Sequence, residues 1–111
     1  MMNEEEFEAV IRKTIDALPQ NFKEQLENVE ITIEDEPANP SLLGLYYGVP
    51  KTARLSYSAL PDKITIYKLP LLRISRTREE AEDNIRKTVL HEIGHHFGLS
   101  DQELYKMKQL R

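Results

Sequence analysis

Residues 77–101, TREEAEDNIRKTVLHEIGHHFGLSD, decide how this chain is read. Thr77, followed three residues later by Glu80, has the spacing of a capping box, which opens a helix. Ala81, Ile85, Val89, Ile93 and Phe97 then step by four along one side, so the helix presents an apolar stripe to a core. With Ile85 set at 0° and about 100° per residue, the stripe runs from about −40° at Ala81 to about 140° at Leu90. His91 and His95 fall at about 240° and 280°, off the stripe and side by side. His96 falls at about 20°, inside the stripe, which predicts a packed histidine whose ring nitrogens bond to protein groups. One helix therefore carries a face for a core and a face for a site.

Two imidazoles one helical turn apart can share a metal ion, the physical content of the H-E-x-x-H pattern. Glu92 between them is placed to act as general base toward a water activated there. A zinc site that keeps a position for water needs a third protein ligand. Gly98 supplies a left-handed break that ends the helix, and Asp101, three residues on, is then placed to return to the metal. Ser100 and Glu103 again have capping-box spacing, which predicts a last short helix over QELYKMKQL. In a chain with 3 histidines, a chance H-E-x-x-H has odds on the order of one in a hundred. Requiring Gly98 and Asp101 as well lowers this to the order of one in a hundred thousand. A solvated polar helix end is the weaker alternative; a purely structural metal site is the stronger one. Against the latter stands Glu92, which has no task in a site that only binds.

Upstream, Asn3 and Glu6 have capping-box spacing, and Phe7, Val10, Ile11, Ile15 and Leu18 recur at helical intervals. They predict an amphipathic first helix that ends near Pro19 and covers a sheet. A second short helical stretch carries Phe22 and Leu26 on one side. In residues 29–34, Val29, Ile31 and Ile33 alternate with Glu30, Thr32 and Glu34, a half-buried strand. The apolar run LLGLYYGVP (42–50) predicts a second strand running into a loop. Residues 51–60 show no period. KITIYK (63–68), bounded by Pro61 and Pro70, alternates again and predicts a third strand. Arg73, Arg76 and Arg78 make a local basic patch, read as a solvated loop and helix start.

With 111 residues, the chain suits one compact domain, residues 1–111. Hydrophobic residues make up 40% and charged residues 31%, which excludes a disordered or fibrous class. The net charge of −4 is spread out and offers no basic footprint for nucleic acid. No apolar run approaches the roughly 20 residues needed to span a bilayer, and the acidic start MMNEEEFE lacks the pattern of a signal peptide. There is no cysteine, so a metal site must use His and carboxylate ligands, which suits a reducing cytoplasm.

The pattern H-E-x-x-H-x-x-G-x-x-D resembles the extended zinc motif of the metzincin clan, in the variant with aspartate as third ligand. LLGLYYGVP, PDKITIY, PLLR and HEIGHHFGLSDQEL together resemble the minimal-zincin family of small bacterial zinc metallopeptidases, over most of the chain from about Val29 onward. The resemblance implies an α+β, zincin-like fold, in which a small mixed sheet of three to four strands packs against the N-terminal helix and the motif helix. It implies Zn2+ held by His91, His95 and Asp101, with Glu92 as catalytic base. Larger metzincins carry a methionine turn well after the third ligand; here Met107 shares a helical pattern with Leu104, and that role is not carried over. The expectation is a zinc-dependent hydrolase, a cytoplasmic metallopeptidase of narrow or weak activity on a peptide or protein substrate. The alternative is a non-catalytic zinc-binding regulatory or peptide-binding module on the same frame. Tyr46, Tyr47 and Tyr57 are candidates to stabilise an oxyanion, and residues 63–68 and the LLGLYYGVP run are candidate edges for an added peptide strand.

Overall fold

The computed structural model describes residues 2–48, 62–99 and 102. Helix α1 spans Glu4–Asp16 and begins in a full capping box: Asn3 Oδ1 accepts from the Glu6 N–H at 2.8 Å and Glu6 Oε1 from the Asn3 N–H at 3.0 Å. Its buried side is Phe7, Ile11 and Thr14. A short helix α2 (Gln20–Glu24) leads into strand β1 (Val29–Glu34), followed by β2 (Gly44–Tyr47) and β3 (Asp62–Tyr67). Helices α3 (Lys68–Arg73) and α4 (Arg78–His96) follow. Thr77 caps α4, its hydroxyl accepting from the Glu80 N–H at 3.1 Å.

The three described strands lie in the order β1-β3-β2, with β3 parallel to β1 and antiparallel to β2. Register sets Ile31 against Ile64 and Gly44 against Ile66. Because side chains alternate across a strand and paired residues share a face, Val29, Ile31, Ile33, Gly44, Tyr46, Asp62, Ile64 and Ile66 all point to one side. Ile64 and Ile66 there join Phe7, Ile11, Leu71, Ala81, Ile85, Val89 and Ile93 in the core. The apolar stripe expected on the motif helix is the face α4 buries. On the other side of the sheet, the Thr32 and Thr65 hydroxyls meet at 3.2 Å.

Two sequence expectations need correction. The third strand ends at Tyr67, and Lys68, read from sequence as its last residue, instead opens α3, a helix the sequence reading did not include. Pro70 is the third helical residue, where the missing N–H would have no intrahelical partner in any case, so the ring is tolerated. Second, β3 is paired on both sides, so residues 63–68 offer no edge to an incoming peptide. The 51–60 segment and the expected helix beyond Ser100 lie outside the described residues, apart from Gln102, which is helical.

Two of the three arginines of the basic patch have specific partners. Arg73 grips Glu36 with both terminal nitrogens, at 2.6 and 3.1 Å. Arg78 reaches Glu6 at 2.5 Å and so ties the start of α4 to the start of α1.

Candidate metal centre

The last turn of α4 is closed by backbone geometry that glycine makes available. Gly98 has φ +86°, the left-handed region that an L side chain disfavours. The Leu99 N–H then reaches the Gly94 carbonyl at 3.0 Å and the Gly98 N–H the His95 carbonyl at 2.9 Å, the paired bonds of a Schellman end. The turn that glycine predicts is there. It also orients His95, whose Nδ1 lies 3.0 Å from the Leu99 carbonyl oxygen. A carbonyl can only accept, so Nδ1 carries the hydrogen and the neutral ring turns the lone pair of Nε2 outward.

That Nε2 faces His91 Nε2 at 3.2 Å. Two imidazole nitrogens this close share a hydrogen, donated by one ring to the lone pair of the other, or a metal ion. Two nitrogens bound to one tetrahedral zinc at about 2.0–2.1 Å are held about 3.3 Å apart by the tetrahedral angle. The pair thus fits zinc as it stands. Asp101, the expected third ligand, lies outside the described residues, and among the described residues no group of three His, Cys, Asp or Glu side chains gathers closely enough to hold a metal.

Glu92 is 7% exposed and lies at the flank of β2, where Gly44 has no side chain. A Cβ on Gly44 would stand 3.1 Å from Glu92 Cγ, 3.3 Å from its Oε2 and 2.8 Å from Thr88 Cγ2. The carboxyl group of Glu92 is thereby wedged between its own helix and a strand. Tyr67, at the end of β3, is also buried; its hydroxyl is held above the ordinary phenol range by burial first, then by the nearby charges of Glu34 and Glu92.

The tyrosines singled out from sequence take different places. Tyr46 faces α4 and donates its hydroxyl to Asp62 Oδ2 at 2.6 Å. Tyr47 is 76% exposed on the opposite face, and Tyr57 lies outside the described residues. His96 is buried, as its angle on the helix predicts, with Nδ1 at 2.7 Å from Asp62 Oδ2 and Nε2 at 3.3 Å from the Gln25 carbonyl. Sequence reasoning missed Asp62. Its signal was parity: it shares the inward face with Ile64 and Ile66, where a carboxylate needs a partner, and His96 is a polar residue on the facing stripe.

A protein-family model described as zincin-like metallopeptidase matches residues 26–110. The chain belongs to this family. The zincin-like chain is also similar to the solved structure of a conserved hypothetical protein from T. thermophilus, with a TM-score of 0.63 and 26% sequence identity over 86% of this chain and 94% of that one. No curated protein matches it. Among the described residues of this zincin-like chain, no helix is long and apolar enough to cross a membrane.

Proposed function

We propose that this zincin-like protein is a zinc-dependent peptidase in which His91, His95 and Asp101 hold the metal and Glu92 is the general base. One observation carries the reading: two Nε2 atoms 3.2 Å apart, on the same helical turn as a buried carboxylate seated against a strand. Bound zinc would supply Lewis-acid polarisation of a carbonyl and activation of a water. Glu92 would take the proton of the attacking water and deliver it to the leaving amine. The substrate would be a peptide or protein segment lying as an added strand along β2. There the Leu43 carbonyl accepts from the Tyr67 N–H at 3.0 Å, so by the alternation of an antiparallel ladder Gly44 turns its own N–H and C=O away from β3. Gly44 would then bring the substrate backbone past Glu92. With no cysteine in the chain, a reducing cytoplasmic setting suits this site.

The test is cleavage of a peptide library by zinc-loaded protein, set against Glu92→Gln. The variant is expected to bind zinc as the wild type does and to lose about 100-fold or more in kcat. Full activity in Glu92→Gln would remove Glu92 from the mechanism. Absence of any zinc-dependent cleavage would favour the other reading, a zinc-binding regulatory or peptide-binding module.

A further inference from the structure

A second polar cluster lies against the end of α4, and the proposed chemistry does not use it. Asp62, 2% exposed, receives the Tyr46 hydroxyl at 2.6 Å and His96 Nδ1 at 2.7 Å, both on Oδ2. His96, 1% exposed, engages the Gln25 carbonyl with its other nitrogen at 3.3 Å, and the Tyr46 ring meets its ring edge-on at 5.9 Å. Gly48 leaves the space for this arrangement: it has φ +156°, and a Cβ there would come within 2.5 Å of the Asp62 carboxylate.

Burying a carboxylate among apolar groups is unfavourable, and well-packed apolar side chains often replace such clusters without loss of stability. Directional bonds offer something that apolar packing does not, a fixed angle. His96 directly follows His95. Its ring is gripped by β3 through Asp62 and by the chain after α2 through Gln25, which fixes the rotation of the last turn of α4 about its axis. A rotation that releases His96 also turns His95 and shifts the Leu99 carbonyl that aims it.

We propose that Asp62 is a positioning residue for the metal centre: together with Tyr46 it locks the last turn of α4 at the rotation in which His91 and His95 face each other. This rests on reading those two histidines as zinc ligands. The experiment measures zinc affinity by competition with a chromophoric chelator, and the visible spectrum of the cobalt(II)-loaded protein, for wild type, Asp62→Asn, Tyr46→Phe and Thr32→Val. Asp62→Asn is expected to weaken zinc binding by about 10- to 100-fold and to shift the cobalt bands. Tyr46→Phe keeps the carboxylate and removes one of its donors, so a smaller loss of roughly threefold to tenfold is expected. Thr32→Val breaks a hydrogen bond on the far face of the sheet and is expected to lower the melting temperature with zinc affinity unchanged. If Asp62→Asn and Tyr46→Phe melt earlier yet keep wild-type zinc affinity and cobalt spectrum, the cluster is structural only and the proposal is overturned. Should Asp62→Asn fail to fold, wild-type affinity in Tyr46→Phe overturns it alone. A His91→Ala variant that binds zinc as tightly as wild type would instead refute the ligand assignment, a failure that does not involve Asp62, and the proposal would fall with it.

Discussion

Gly44 brings β2 closer to α4 than any other residue type would permit, and the group it admits is the Glu92 carboxylate. A methyl group there would press on Thr88 Cγ2 at 2.8 Å and on the Glu92 side chain. Thr88 is not at liberty to turn away easily, because its hydroxyl donates to the Asn84 carbonyl at 2.8 Å. Gly44→Ala is therefore expected to lower stability by about 1–3 kcal/mol, as overpacking does, and to reduce peptide cleavage more than tenfold while zinc affinity holds. A thermal melt, a chelator titration and a cleavage assay on the one variant separate these effects. At this scale much of the site was legible, since helix angle alone divided His91 and His95 from His96. The partner of His96 was not legible in the same way, because Asp62 stands far off in the chain and only the pairing of β3 reveals which way it points. Gly44 is likewise an ordinary strand glycine until α4 is laid across it.

Among the elements, the contact between α1 and α4 is pinned at its polar end by Glu6 and Arg78. The Glu6 carboxyl is held below the ordinary glutamate value of about 4.5, first by the Asn3 N–H and then by Arg78. A carboxylate whose pKa is depressed in the folded state adds stability that is complete above its unfolded value and is lost as pH falls through the folded value. The melting temperature of the wild type should thus decline below about pH 4.5, with Glu36 beside Arg73 contributing in the same direction. Glu6→Gln lacks this dependence, so its melting curve should lie below wild type near neutrality and converge with it in acid. Parallel curves across the range would show that the pair contributes nothing to the pH dependence. Both helices could be read from their caps and stripes because capping and amphipathicity are local. Helix α3 could not, since Pro70 is a breaker in general and harmless in a first turn, a distinction that depends on where Lys68 begins the helix.

For the molecule as a whole, zinc is expected to act as a stabiliser. Zinc at about 100 times its dissociation constant adds roughly 2.7 kcal/mol to a fold that binds it only when native. For a chain of this size that is a rise of about 10–20 °C in Tm, reversed by a chelator and absent in His95→Ala; an unchanged Tm would argue against a preformed site. The α+β class was visible in the succession of periods along the sequence. The strand order β1-β3-β2 was not, because periodicity marks a strand without naming its neighbour, and the parallel pairing of β1 with β3 joins segments separated by all of β2. The same contrast between near and far has a bearing on how the protein comes to be assembled. His91 and His95 need only one turn of helix to meet, and a helix forms in about a microsecond. Gly44 reaches Glu92 only after distant strands have found their register, which is slow. Under the zinc reading, a newly made chain would have its two histidines side by side well before Glu92 is seated, and it would be unable to cut its neighbours until the sheet is complete.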